Sequence, residues 1–426
     1  MPQHFNSLVI LLGKAVRNAA RLRGGGSALP GLFVERISPN FIKQTLAQLP
    51  RGVVVISGTN GKTTTTKMVV ALLEAHGLKV FTNRTGSNFT RGVAAALLGD
   101  IDMKGNLDAD IAVLELDEAH AVPFVKAIPP RYSLLLNVMR DQLDRFGEID
   151  ATAKMLEKIA IATTDTVVLN REDARVLAIK DSLTDQKVEL FGLSDELLSD
   201  FPSDDDMRNG SVKKAKRPAA SVVLKKYSGN QATYDLGGYE FSTSLKLNGV
   251  YNVFNSAAAI ALAHAILDTE IKADVVLATI AKVTPAFGRG EQLEVGGQPL
   301  ELVLVKNPSG FRLGLKSFSP VGYATMIAIN DNYADGRDMS WLWDVDFESL
   351  AELGVAEVAG IRAYDMALRL QYDEVKIGHI EKDLSSALRQ FIEENKDVPK
   401  RIYCTYTAML ALRRELSKIT TVEVIS

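Results

Sequence analysis

Apolar, β-branched runs at 52–56, 109–116, 132–138, 166–169 and, more weakly, 187–191 alternate with helix-period patterns at 64–76, 92–98, 119–128 and 151–162. Strands separated by helices predict an α/β fold with a doubly wound parallel sheet, which binds ligands at the carboxyl ends of its strands. The rhythm breaks at 199–217, where Ser203-Asp204-Asp205-Asp206 and Lys213-Lys214-Ala215-Lys216-Arg217 leave almost no apolar residues. That stretch reads as a solvated excursion. Alternation over 221–247, turned at Ser228-Gly229-Asn230 and Gly237-Gly238, predicts a small antiparallel insertion, and helical pattern returns at 251–267.

A second, smaller α/β unit begins near 291–297. Its predicted strands are 300–305, 324–329, 355–359, 374–377 and 401–404, with helices at 311–317, 363–370, 385–394 and 406–417. Gly288, Gly290, Gly296 and Gly297 crowd the boundary and suggest a hinge there. This gives three segments: a helical arm at 1–45, a nucleotide-binding unit at 46–293 and a C-terminal unit at 294–426.

The chemistry concentrates after the first strand, in Gly58-Thr59-Asn60-Gly61-Lys62-Thr63-Thr64. A buried strand, two glycines, a lysine, hydroxyl residues and a helix form the layout of a phosphate-binding loop. Glycines admit backbone N–H groups to the phosphates, the helix N-terminus favours the anion, and Lys62 adds a point charge. The commonest pattern wants a further glycine five residues before Gly61, where Ile56 stands, so this is the shorter G-T-N-G-K-T variant. Glu115, at the carboxyl end of its strand, suits a Mg²⁺ ligand together with the Thr63 hydroxyl. Capping of the helix that follows suits Asp117 or Glu118 better. A polar cluster at 137–148 faces the same rim.

Composition narrows the rest. A chain of 426 residues exceeds what one core serves, and a net charge of −3 leaves no footprint for nucleic acid. The single cysteine, Cys404, lies in an apolar strand and reads as core; it excludes a disulfide within the chain and any multi-cysteine metal site. No apolar run approaches the roughly 18 residues of a membrane span. A basic amphipathic helix at 5–22, with Lys14, Arg17 and Arg21, either packs on its own domain, the preferred reading, or makes peripheral contact with a membrane surface.

Taken together, the loop at 58–63, Glu115, residues 137–147, Asn170-Arg171-Glu172-Asp173 and 249–255 resemble the ATP-binding middle domain of the Mur ligases. Leu304-Val305-Lys306-Asn307-Pro308-Ser309-Gly310 and Asn330-Asp331-Asn332 resemble the C-terminal domain of that superfamily. Residues 83–88, 140–145 and 286–291, and above all 330–344, resemble its MurT branch. The resemblance implies a Mur-ligase-type middle ATPase domain with a small β insertion, followed by a smaller α/β C-terminal domain. It lacks the separate domain that binds the UDP-sugar in classical members.

The activity implied is that of the synthetase subunit of lipid II isoglutaminyl synthase. ATP, with Mg²⁺, would activate the α-carboxylate of D-glutamate in the stem peptide as an acyl phosphate. Ammonia from a GatD-type glutamine amidotransferase partner would then convert it to D-isoglutamine, at the cytoplasmic face of the membrane. By the same resemblance Asn252 and Asn255 lie near the adenine, helix capping being the alternative, and Arg289 approaches the nucleotide. An acid of the 330–344 motif would reach the partner's active site, with Asp338 ranked before Asp335 and Asp344. Two departures stand out. Many members of this branch carry a four-cysteine zinc ribbon near 199–247, which this chain cannot build, so no structural zinc is expected. Gln142 replaces a histidine of classical members, and Lys154 has a plausible spacing for their carbamylated lysine, although a solvated helix face explains it as well. The competing readings are a stand-alone Mur or folylpolyglutamate-type amino-acid ligase and a non-catalytic nucleotide-binding scaffold.

Overall fold

The computed structural model describes residues 7–22, 28–83, 90–139, 149–201, 217–246, 250–284 and 289–422. The motif residues 84–88, the cluster at 140–148 with Gln142, most of the 199–217 excursion and residues 285–288 lie outside them.

The first sheet has nine strands. In chain order they are β1 (Val53–Ser57), β2 (Val80–Thr82), β3 (Ile111–Glu115), β4 (Tyr132–Leu135), β5 (Thr166–Asn170), β6 (Lys187–Leu193), β7 (Val222–Ser228), β8 (Gln231–Leu236) and β9 (Tyr239–Ser244). Their spatial order is β2-β3-β1-β4-β5-β6-β7-β8-β9. Neighbours are parallel from β2 through β7, whereas β7, β8 and β9 form an antiparallel meander. The insertion therefore extends the main sheet rather than standing apart from it.

β1 is central and buried on both faces, which is why it reads as a continuous apolar run. Val54 and Ile56 join the core under the helices Lys62–Ala75 and Val250–Leu267, and Val53 and Val55 join the core on the other face. The N-terminal helix Ser7–Leu22 packs on this second side. Ile10 is fully buried and Lys14 Nζ donates to the Ile101 carbonyl at 2.6 Å, while Leu11 and Leu12 face outward. No helix of the described residues is long and apolar enough to cross a membrane.

The second sheet holds β10 (Arg289–Val295), β11 (Gln298–Leu304), β12 (Ala324–Ala328), β13 (Val355–Ala359), β14 (Ile377–Glu381) and β15 (Lys400–Cys404), ordered β10-β11-β15-β12-β13-β14. Only the β10–β11 pair is antiparallel. Cys404 is fully buried in β15, and burial pushes its thiol pKa up.

Three elements differ from the sequence reading. β2 was not anticipated, being only three residues long. The glycine-rich boundary carries a strand, β10, and Gly296 and Gly297 (φ 61° and 77°) form its hairpin turn, the positive φ pair that a two-residue hairpin needs. The strand expected at 374–377 lies at Ile377–Glu381 instead. Glu374 sits in a turn with φ 57°, and β14 is an edge strand whose exposed residues carry no apolar pattern.

Candidate active site

The phosphate loop leaves β1 at the carboxyl edge of the first sheet. Gly58 (φ 134°) and Gly61 (φ 90°) hold conformations that disfavour a side chain, and a Cβ at Gly61 would come within 2.7 Å of Asn255 Oδ1. The loop is braced from the end of β4. Asn137 Oδ1 accepts from Asn60 N at 2.9 Å and its Nδ2 donates to Asn60 O at 2.9 Å. Thr59 N donates to Asn137 O, and Met139 N donates to Thr59 Oγ1, both at 3.0 Å. The helix Lys62–Ala75 starts at the second glycine, so its unpaired N–H groups and positive dipole end face the loop.

Lys62 is buried. Its Nζ donates to Gly58 O at 2.5 Å and lies 3.5 Å from Glu118 Oε2, and Glu118 is buried as well. Of the two acids suited to capping the next helix, Asp117 holds the N-cap position, while Glu118 turns inward and balances the lysine charge in a dry setting. The Thr63 hydroxyl donates to Glu115 Oε1 at 2.9 Å, which brings these two residues together. Glu115 is held in turn by Asn83, whose side-chain amide accepts from Glu115 N at 3.0 Å and donates to Glu115 O at 2.9 Å. The buried hydroxyl of Thr64 has no partner among the described residues, nor have those of Thr65 and Thr66 deeper in the helix. Asp173 N-caps the helix Ala174–Ala178 and accepts from Val138 N at 2.7 Å, tying β5 to the loop support; burial pushes its carboxyl up to about 6.

The second lobe closes over this edge. A cleft of about 120 Å³ opens between the loop, the start of the helix Val250–Leu267 and the helix Pro308–Ser317, with Tyr251, Asn252, Leu313 and Phe318 along its walls. Asn252 and Asn255 also line it. They lie within the first turns of a helix that begins at Val250, so neither is a cap. From the second lobe, Lys306 Nζ donates to Thr59 O at 3.2 Å and Asn307 Nδ2 approaches Asn60 Oδ1 at 3.5 Å. Arg289 opens β10. Lys154 is exposed on the helix Ile149–Ala162. Among the described residues no three His, Cys, Asp or Glu side chains are grouped as a metal site, so a cation here would rely on Thr63, Glu115 and nucleotide oxygens.

The 330–344 motif follows β12, at the carboxyl edge of the second sheet. Asp335 is turned inward and fastens this loop to the helix Tyr406–Leu416, accepting from Thr407 N at 2.7 Å and from Thr407 Oγ1 at 2.5 Å. Burial raises its pKa. Asp338 is partly exposed, and the Ser340 hydroxyl and N–H lower its pKa. The Asp344 carbonyl accepts from Arg312. Trp341 is core against Phe311, whereas Trp343 is half exposed and packs edge-on to Tyr372 at 5.0 Å. Tyr364 and Leu368 are also exposed, two and one helical turns before Tyr372, so the motif borders an apolar outer face.

Fold and site together define an ATP-dependent ligase: a phosphate loop at the carboxyl edge of a parallel sheet, a carboxylate–hydroxyl pair beside it, and a second α/β lobe closing the cleft. The Mur ligase middle domain family matches residues 56–263 and the MurT ligase C-terminal family matches 304–409. Over 96% of its length the chain is 31% identical to the lipid II isoglutaminyl synthase (glutamine-hydrolyzing) subunit MurT of Streptococcus pneumoniae, covering 97% of that protein. Among solved structures, a pseudomurein peptide ligase type C from Methanothermus fervidus superposes with a TM-score of 0.68 (16% identity, 89% of this chain and 80% of that one). The MurF ligase of Thermotoga maritima in complex with ADP gives 0.62 (17% identity, 89% and 84%). The chain belongs to the MurT family of the Mur ligases.

Proposed function

We propose that this chain is the synthetase subunit of a lipid II isoglutaminyl synthase. It phosphorylates the α-carboxylate of D-glutamate in the stem peptide with ATP and amidates the acyl phosphate with ammonia. The observation that carries this reading is the match to the MurT subunit of Streptococcus pneumoniae over nearly the whole of both chains, with Lys62, Thr63 and Glu115 gathered at the loop whose Asn60 and Gly61 line the cleft. That relative's name specifies glutamine hydrolysis and a subunit, so a GatD-type glutaminase is the partner we assign.

In this reading the loop from Gly58 to Thr64 and the helix N-terminus bind the nucleotide phosphates, and Lys62 offsets the charge that builds on the transferred phosphoryl group. Asn252, Asn255 and Arg289 serve the nucleoside side of the cleft. Thr63 and Glu115 offer two hard oxygen donors 2.9 Å apart, which suits Mg²⁺; the ion would neutralise phosphate charge. A carboxylate oxygen of the substrate takes the terminal phosphoryl group and ADP leaves. The ammonia nitrogen then bonds to the acyl carbon as phosphate departs. The apolar face at Trp343, Tyr364, Leu368 and Tyr372 supports a protein partner beside Asp338. Lipid II places the reaction at the inner face of the membrane, and the outward Leu11 and Leu12 suit peripheral contact there.

The test is co-expression with a GatD-type glutaminase, followed by ATP-dependent amidation of lipid II with glutamine or with ammonium. Amidation from both donors is expected. Incorporation of an amino acid in place of ammonia would overturn the reading in favour of a stand-alone ligase.

A further inference from the structure

Two lysines from different lobes meet on a single carbonyl of the phosphate loop. Lys62, from the helix that follows the loop, donates to Thr59 O at 3.4 Å as well as to Gly58 O. Lys306, from the segment after β11, donates to the same Thr59 O at 3.2 Å. The base from which Lys306 reaches is rigid. Val305 before it is fully buried, and Asn307 after it is fully buried and caps the helix Pro308–Ser317 by accepting from Gly310 N at 2.6 Å. Asn307 also extends its Nδ2 toward Asn60 Oδ1, so both side chains are directed at the loop.

Glu118 balances Lys62, and Lys306 brings a second ammonium group to the same carbonyl at the edge of the cleft, where a phosphate anion would be attracted to it. Resting on the nucleotide reading above, we propose that Lys306 is a second phosphate-binding cation, supplied by the C-terminal lobe and directed at the terminal phosphate of ATP. The loop's own N–H groups and the helix N-terminus enclose the phosphates nearer the nucleoside. A cation arriving from outside the loop meets the phosphate that protrudes furthest. Lys306 therefore makes lobe closure sense the third phosphate, in the manner of an arginine finger supplied from a separate element. Transfer of that phosphate to the carboxylate keeps the anion beside Lys306 while the acyl phosphate exists, and its loss leaves ADP without this contact.

The test is calorimetric titration of the full-length protein, with its partner where co-purified, against ADP and against the non-hydrolysable analogue AMPPNP, both with Mg²⁺. Loss of one charge-assisted contact in Lys306→Ala should weaken AMPPNP about tenfold and leave ADP within about twofold. Lys306→Arg should restore most of the AMPPNP affinity. Lys62→Ala, the control from within the loop, should weaken both nucleotides. An equal loss for ADP and AMPPNP in Lys306→Ala, or no loss for either, would overturn the assignment; so would an unfolded Lys306→Ala whose folded arginine counterpart binds AMPPNP no better than ADP. Wild-type protein that binds neither nucleotide would remove the underlying reading, a result separable from a failure of Lys306 alone.

Discussion

The Thr63 hydroxyl donates to Glu115 Oε1 across 2.9 Å, joining the first turn after the phosphate loop to the end of the neighbouring strand β3. Two oxygen donors so placed act as one unit, and removing either should show it. Glu115→Gln keeps the shape and removes the charge. We expect amidation to fall by about 100-fold or more, with a raised Mg²⁺ requirement and little change in melting temperature. Activity measured across a Mg²⁺ titration checks this; a variant with the wild-type Mg²⁺ curve would remove Glu115 from the metal role.

Asn83 should control the same carboxylate at one remove. Its amide replaces a missing strand partner, exchanging two hydrogen bonds with the backbone of Glu115. Asn83→Ala leaves a buried N–H and a buried C=O unpaired, which costs about 1–3 kcal/mol. Beyond that cost the Mg²⁺ titration should shift, because Glu115 is no longer held. Urea unfolding read beside the Mg²⁺ curve separates the two effects. A loss of stability with an unaltered Mg²⁺ requirement would confine Asn83 to a structural role.

These two residues also mark what a sequence can reveal. The loop was legible because strand, glycines, lysine and helix follow one another within a dozen or so residues, so the local pattern and the final geometry coincide. Glu115 was legible from its place at a strand end. The inward turn of Glu118 was not legible, because its position beside Asp117 fits a helix cap equally well and nothing local reveals that its carboxylate faces Lys62. Lys306 belongs to the other lobe, and its approach to Thr59 is set by how the two sheets meet. The same limit explains β14. An exposed edge strand buries little, so it carries no hydrophobic periodicity to read.

Glu357 should give the C-terminal lobe a pH-dependent stability. It is buried in β13 opposite His379 of β14, which pairs with Glu394 at 3.1 Å, and its Oε1 has no partner among the described residues. Burial pushes its carboxyl from 4.5 to about 7; His379 opposes the shift, and Glu394 and Glu381 add to it. Between these two values the folded chain keeps a proton that the unfolded chain has released. Stability therefore falls as pH rises through that window and levels off above it. Glu357→Gln removes the penalty. The variant should exceed the parent by about 1–2 kcal/mol near pH 8.5, less than the full shift implies because exposed His379 admits solvent screening, and by much less near pH 5. Urea midpoints at the two pH values decide it, and an equal gain at both would rule out the titration of Glu357.

Asp335 and Asp338 lie three residues apart in one motif and should fail in different ways. Asp335 spends both carboxylate oxygens on Thr407 and so fastens the loop after β12 to the helix Tyr406–Leu416. Asp335→Asn keeps the shape but can no longer accept from both Thr407 groups with a full charge, which costs about 1–3 kcal/mol of lobe stability. Amidation should then decline alike whether glutamine or free ammonium supplies the nitrogen. Among the described residues Asp338 bonds only within its own turn, to Ser340; the same bonds lower its pKa, and it is partly exposed. If it reaches the partner's active site, Asp338→Asn should abolish glutamine-dependent amidation, spare the ammonium-dependent reaction, and leave the unfolding curve in place. Parallel assays with the two nitrogen donors on the co-purified complex make the comparison. Should Asp338→Asn keep its glutamine-dependent rate, Asp344 becomes the candidate to replace it.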